Sequence, residues 1–223
     1  MLWLMIKDEL KHLWRNRFVR IVMICLPLML PASLLAPAED AAAMMAMAQM
    51  VFVQVSGLIT GAVITASLVS DIQQGVPVLF AVRPQPRVYF LMARGAGMVV
   101  FLASGLLCGL GAMLLLNHFV VHLPIQSFTT ARHAILTGIP GILVSSACGL
   151  MIGVFVDSIP SGMVGFVFLA NNLVLGLTFG FQRLPAFTGW SLPTVELAHA
   201  GAGLVLTMGM GLAAAWRFSR RAL

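Results

Sequence analysis

Histidine and methionine side chains near the ends of long apolar stretches are the residues in this chain best suited to bind a metal. The candidates are His118 and His122, which are four residues apart, His133, His199, and Met44, Met45, Met47 and Met50 close to Glu39 and Asp40. Imidazole and thioether ligands suit copper, and paired histidines on different helices could hold haem. Methionine is also a common filler of apolar helices. We therefore assign no metal ligands and keep a haem or metal site only as an alternative.

Three amide side chains lie inside long apolar stretches. Asn171 and Asn172 stand near the middle of one stretch, and Gln54 stands in another. An amide without a hydrogen-bond partner is costly in hydrocarbon. At least one of the three should therefore face a partner helix or a water-filled cavity. The alternative, a hydrogen bond between two helices of the same subunit, stays open.

The chain lacks the phosphate-binding motif G-x-x-x-x-G-K-S/T, whose glycine-rich loop cradles nucleotide phosphates. Any ATP that the protein uses must therefore be bound by another chain. We expect no enzyme activity, no catalytic residue and no cofactor in this chain itself.

The elements that carry these side chains follow from the distribution of charge. The 223 residues are 60% hydrophobic and 9% charged, with a mean hydropathy of +1.01, which excludes an ordinary soluble domain. Six intervals lack charge, each close to or above the roughly 20 residues that cross a bilayer. They are 21–38, 41–70, 95–131, 133–156, 158–182 and 197–216. We predict an all-α integral membrane protein, a single domain over 1–223, with spans at about 18–36, 46–69, 93–116, 134–156, 161–181 and 198–216.

The basic residues are divided unequally between the two ends of these spans. Eleven lie before span one, between spans two and three, or after span six, and only Arg132 and Arg183 lie on the other side. The positive-inside rule then predicts a plasma (inner) membrane protein with both termini in the cytoplasm. The basic surplus is thus a signal of topology and does not indicate nucleic acid binding. Contact with anionic membrane lipids is a secondary consequence.

Two segments outside the spans have their own patterns. Residues 1–17 carry Trp3, Ile6, Leu10, Leu13 and Trp14 at helical spacing, with basic residues on the other face, which predicts an interfacial amphipathic helix. The alternative is a cytoplasmic extension of span one. The loop 71–94 begins with a stretch, 71–82, that favours a short helix ended by Pro84 and Pro86. Its exposed apolar residues, including Leu79 and Phe80, suit the docking of a soluble partner, and the alternative is a linker.

The order of these elements resembles the permeases of the ABC-2 family of ATP-binding-cassette exporters. Members have six spans, both termini inside, and a basic amphipathic helix before span one. They carry an acidic residue at the end of span two, then a glycine, a hydrophobic coupling helix, a proline, and a basic residue before span three. The matching residues are Asp71, Gly75, Val78, Leu79, Phe80, Pro84 and Arg94. The external segment 184–196, with Pro185 and Pro193, is also similar, whereas Gln73 and Gln74 stand where members often carry a charge.

The resemblance implies that the protein is half of a transmembrane pore. Two copies, or one copy and a similar subunit, would pair as a homodimer or heterodimer around a path lined by spans one, two and five. Gln54, Asn171 and Asn172 are therefore candidates for the path or the dimer interface. Each half would rest on a separate ATPase subunit, which binds ATP and Mg. The coupling residues would be Asp71, Gly75, Val78, Leu79, Phe80 and Pro84, with a minor contact from Asp157 in the turn 157–162. The alternative function is a haem- or metal-binding subunit of a membrane oxidoreductase that uses the outer histidines and methionines.

Overall fold

A computed structural model describes residues 2–15, 17–32, 34, 41–74, 88–121, 127–183 and 191–220, and within them the regular structure is entirely helical. The α-helices are α1 (Leu2–Arg15), α2 (Arg17–Ala32), α3 (Ala41–Gln73), α4 (Val88–Leu116), α5 (Ser127–Phe155), α6 (Ile159–Arg183) and α7 (Leu192–Arg220). A π-helical turn, Asn117–Val121, continues α4. The prediction of an all-α protein is confirmed for these residues.

Four helices are long and apolar enough to cross a membrane within the part of the chain that the structure describes. The four stretches are Gln54–Gln73, Val88–Val120, Ile135–Phe155 and Pro193–Arg220. A shorter apolar stretch, Ile159–Val174, lies in α6. Large apolar side chains cover the outside of the bundle, and Phe168, Phe119 and Leu212 are each at least 70% exposed. Such a surface is unusual for a soluble monomer and is suited to lipid, so the molecule has the character of a membrane protein.

Helices α3, α4, α5 and α7 extend beyond the predicted spans, and two of these extensions lie in the loop 71–94. α3 continues to Gln73 and α4 begins at Val88, so both ends of that predicted loop are helical. The predicted spans two and three stop near the charged residues Asp71 and Arg94. Asp71 and Arg94, the charges at this point, pair with each other, so neither residue has to leave its helix to reach water.

Helix α5 lies at the centre of the bundle. It packs most extensively against α3 and α7, and it also contacts α4 and α6. One hydrophobic cluster contains residues of all five helices from α1 through α5. A second cluster, on the other side of α5, contains residues of α5, α6 and α7. A smaller third cluster, Leu68, Leu91, Val154 and Phe218, closes one end of the bundle.

Glycines set the distance between α3 and α5. Gly149 lies directly on Gly61, because a Cβ added to Gly149 would stand 2.8 Å from the Gly61 Cα. Gly57 approaches Ser145 and Gly153 approaches Leu68 in the same ascending order, so α3 and α5 run in the same direction. Such small-residue contacts let backbones approach closely in a membrane. They fix the relative positions of the helices that carry the charged and amide residues described below.

Candidate functional site

A cluster of three charged side chains joins α1, α3 and α4. The Nε of Arg94 donates to the Glu9 carboxylate at 3.0 Å, and Nη1 of Arg94 donates to the Asp71 carboxylate. The Arg94 side chain is only 10% exposed, and the two carboxylates are 19% and 23% exposed. An arginine fork suits two carboxylates because its donors are rigid and point outward in one plane. We call Glu9, Asp71 and Arg94 the ion cluster.

Local packing places each member of the ion cluster. Phe90 lies one turn before Arg94 on α4, and its ring centre is 5.3 Å from the guanidinium carbon, a cation–π distance. Gly97 lets α1 approach α4, because a Cβ at this position would lie 3.1–3.2 Å from the Glu9 side chain. Leu13, one turn beyond Glu9, is buried in the main hydrophobic cluster. The apolar side of α1 therefore carries Glu9 to Arg94.

The ion cluster joins the two helices that flank residues 75–87 in the chain. Asp71 is in the last turn of α3, and Arg94 is in the second turn of α4. Their bond holds together the two helices between which this segment runs, and Glu9 adds α1 to the same point.

A hydrogen bond extends this junction to the turn between α5 and α6. The amide of Gln73 donates to the backbone carbonyl of Asp157 at 2.7 Å. Asp157 is exposed and precedes Ser158, whose hydroxyl accepts from the Ser161 backbone N–H at 3.4 Å. Ser158 therefore occupies the capping position of α6. The structure thus brings Asp71 and Asp157, two of the predicted coupling residues, to the same end of the bundle.

The other predicted coupling residues lie outside the described residues. They are Gly75, Val78, Leu79, Phe80 and Pro84. The expected short helix over 71–82 is described only for its start, where 71–73 form the end of α3 and Gln74 lies in a turn. The docking role of these residues stays a prediction.

Gln54 lines a small cavity within the bundle. The cavity holds about 10 Å³ and is also lined by Leu58, Ser145, Ala170 and Val174, from α3, α5 and α6. A space of this size is about that of a single water molecule. Gln54 therefore faces helices of its own chain. This position agrees with the alternative interpretation of the amide residues, a contact between helices of the same subunit, more than with a place in a dimer interface.

Asn172 lies on the opposite face of α6 from this cavity. It is exposed, and its amide nitrogen donates to the Phe168 carbonyl one turn earlier at 2.6 Å. Its neighbours along this face, Val164, Phe168 and Gly176, are exposed as well. Asn172 is thus a polar side chain on an otherwise apolar surface. For Asn171 the structure describes the helical backbone only.

An ion pair stands at the other end of the bundle. Nη2 of Arg132 lies 3.0 Å from the Glu196 carboxylate and joins α5 to α7. Glu196 is largely buried, as is His199 one turn later. This pair holds together the second turns of two helices at the end opposite to the ion cluster.

The predicted metal-binding residues are only partly described. His118 is exposed and lies edge-on to Phe119, with 4.8 Å between the ring centres. The side chains of His133 and of the four methionines, and the whole of Glu39, Asp40 and His122, lie outside the described part. Among the described residues, no group of three or more His, Cys, Asp and Glu side chains is placed to hold a metal ion.

Glu9 is a member of the ion cluster that was not predicted from the sequence. A signal was present, because Leu2, Ile6, Glu9 and Leu13 are spaced by four, three and four residues on one face of α1. A carboxylate in line with apolar residues needs a buried partner. Arg94, which lies inside an apolar helix, is the basic residue that pairs with Glu9. Arg132 and Glu196 were each noted as outside, but their pairing was not.

Comparison with known proteins adds no relative. No family model matches the sequence, and no curated protein matches it.

Proposed function

We propose that this chain is the membrane permease subunit of an ATP-driven exporter of the ABC-2 type. It has six spans with both termini in the cytoplasm, it works as a dimer, and a separate ATPase subunit drives it from the loop 71–94. The resemblance of residues 71–94 to the coupling region of that family is the starting point. The ion cluster at the base of this loop is the structural observation that carries the proposal.

The reason is mechanical. A coupling element must transmit the movement of a soluble ATPase to helices that cross the membrane. Such transmission requires contacts that hold the element to several helices at once. Asp71 and Arg94 join the end of α3 to the start of α4, Glu9 adds α1, and Gln73 adds the turn that precedes α6. The two helices that flank the loop are thus tied to each other and to two further elements.

The dimer is supported by the exposed face of α6. Asn172 would face hydrocarbon in a single subunit, where its amide carbonyl is costly to leave without a donor. An open apolar groove of about 400 Å³ runs beside this face between α3 and α6, lined by residues such as Ala62, Ala66 and Val167. A second subunit packed here would cover the groove and place Asn172 at the dimer interface or beside the path.

The first experiment is purification of the tagged chain from its own cells in mild detergent. We expect a second chain to co-purify that contains a G-x-x-x-x-G-K-S/T motif and hydrolyses ATP. The variant Leu79→Asp with Phe80→Asp should lose that chain, because two charges replace the apolar contact proposed for docking.

A matched control adds the same two charges elsewhere at this end of the protein. Ser219→Asp with Ala222→Asp, at the end of the chain, should keep the ATPase. Size-exclusion profiles establish that both variants remain folded. If the folded native chain brings no ATPase with it, or if both variants lose it equally, the proposal is wrong. Absorption by haem and metal content would then be the next measurements, because they test the oxidoreductase alternative.

A further inference from the structure

The amphipathic helix α1 and the spanning helix α4 form an open groove that the proposed function does not use. Its volume is about 630 Å³, within the range of small-molecule sites. Seven residues line it: Lys7, Leu10, Lys11, Trp14, Arg15, Phe101 and Ser104. On α4 the groove is lined about two to three turns beyond Arg94, and on α1 it extends from Lys7 to Arg15.

One edge of the groove is basic. Lys7, Lys11 and Arg15 are spaced by four residues, so they lie in one row along α1. All three side chains are exposed, and they form no ion pair with any residue that the structure describes. Of the two nearby acids on α1, Glu9 is bound to Arg94, and Asp8 is exposed beside Lys7. The row therefore presents a net positive charge.

The rest of the groove is apolar. Trp14 stands edge-on to Phe101 with 6.2 Å between the ring centres, and Leu10 adds an aliphatic surface. The one hydroxyl, on Ser104, donates to the Phe101 carbonyl at 2.7 Å, so its hydrogen is used within the helix. The groove thus combines an edge for an anion with a surface for a hydrocarbon chain.

We propose that this groove binds one anionic phospholipid. Its phosphate would lie against Lys7, Lys11 and Arg15, and one acyl chain would lie along Trp14 and Phe101. Two observations favour a lipid over a soluble anion. The apolar surface continues along α4, a helix that is able to cross a membrane. Basic residues beside an amphipathic helix also attract the anionic lipids of the cytoplasmic leaflet. This site does not depend on the exporter proposal.

Fluorescence quenching by brominated lipid tests the proposal directly. Trp14 is kept as the only tryptophan by the changes Trp3→Phe, Trp190→Phe and Trp216→Phe in the full chain. The protein is placed in vesicles of phosphatidylcholine and phosphatidylglycerol in which only the phosphatidylglycerol is brominated. A second set of vesicles has the same composition, but only the phosphatidylcholine is brominated. We expect phosphatidylglycerol to be preferred at Trp14 by about fivefold, which corresponds to ~1 kcal/mol.

The charge dependence distinguishes a site from general surface attraction. Lys7→Gln with Lys11→Gln should lower the preference to nearly one, and both side chains are exposed and form no ion pair with a described residue. Arg217→Gln with Arg220→Gln removes two charges from the exposed end of α7 and should leave the preference unchanged. Equal quenching by the two lipids, or an equal loss of preference in both variants, would overturn the proposal. The test needs no ATPase, so its outcome is separate from that of the proposed function.

Discussion

Arg94 is the residue on which the candidate site depends most. It neutralises two carboxylates from two other helices at a place where little water reaches the guanidinium. Because a buried charge without a partner is costly, the position of each member depends on the other two. Loss of Arg94 would therefore affect α1, α3 and α4 together.

Replacing Arg94 with methionine should lower the free energy of unfolding by about 3 kcal/mol. This value is at the low end of the cost of breaking a buried ion pair, because the two carboxylates that are left keep some exposure. Arg217→Met is the matched control. Arg217 is exposed and lies 5.8 Å from the Phe155 ring centre, so its loss should cost less than about 1 kcal/mol. Thermal unfolding of both variants in detergent gives the comparison.

A second set of variants separates the stranded charges from the lost packing of the Arg94 side chain. Glu9→Gln with Asp71→Asn, added to Arg94→Met, removes both unpaired carboxylates. We expect this triple variant to regain more than half of the lost stability, because neutral amides are less costly to desolvate than carboxylates. If the triple variant were no more stable than Arg94→Met, the charges would not be the main contribution of the ion cluster.

At the scale of elements, the contacts of α3 with α5 and α6 depend on the absence of a side chain at Gly61. A Cβ built on Gly61 would lie 1.8 Å from two ring atoms of Phe166, and Phe166 is fully buried. The backbone of Gly61 is also in close contact with Gly149 of α5, because a Cβ on Gly149 would lie 2.8 Å from the Gly61 Cα. The contact of Gly61 with Phe166 places α6 against α3, and therefore also determines which face of α6 is exposed.

Gly61→Ala should destabilise the protein by about 1–3 kcal/mol, the usual cost of overpacking, in spite of the higher helix propensity of alanine. Gly209→Ala in α7 is the control, because a Cβ there would meet nothing within 4 Å. It should cause no loss of stability. The two unfolding temperatures, measured side by side, check the prediction, and equal temperatures would contradict the tight contact.

The elements themselves were largely predictable from the sequence, because apolar stretches free of charge have few alternatives to helix in a membrane. Each of the six predicted spans falls, where it is described, mainly within one helix. The pairing of Glu9 with Arg94 was not predictable in the same way. These residues are 85 positions apart, and their contact depends on which face of α1 packs on α4. Local patterns give the helix but do not give its partner.

The amide residues show the same limit. The sequence indicated that at least one of Gln54, Asn171 and Asn172 faces a partner helix or a water-filled cavity, but not which one or where. The rotation of α3 and α6 turns Gln54 inward to a small cavity and Asn172 outward. This rotation results from the glycine contacts of α3 with α5 and α6, and these contacts involve residues far apart in the chain.

At the scale of the whole molecule, the exposed face of α6 predicts how two copies meet. All native cysteines are first replaced, since Cys25, Cys108 and Cys148 carry free thiols. Asn172→Cys should then form disulfide-linked dimers on mild oxidation in the membrane, because residues near a twofold axis approach their own copies. Leu212→Cys, on the exposed face of α7, should form no disulfide-linked dimer. Equal cross-linking at both positions would indicate random collision.

The proposed docking of an ATPase depends on the orientation of the protein in the membrane. The basic row of α1 and the last turn of α7 carry five basic residues, whereas the opposite end carries Arg183 and Arg132, of which Arg132 is paired with Glu196. A positively charged end is retained in the cytoplasm. The segment 75–87 and the turn at Asp157 would then face the compartment that supplies ATP.

Two cysteines introduced at exposed serines test this orientation in intact cells. Ser161→Cys lies near the start of α6 at the end of the ion cluster, and Ser191→Cys lies just before α7 at the opposite end. In the cysteine-free background, a membrane-impermeant maleimide should label Ser191→Cys at once. It should label Ser161→Cys only after the membrane is permeabilised. The reverse pattern would place the segment 75–87 outside the cell, where no ATPase could reach it, and the exporter proposal would fail at the level of topology. The labelling pattern therefore decides whether a cytoplasmic ATPase can reach Leu79 and Phe80.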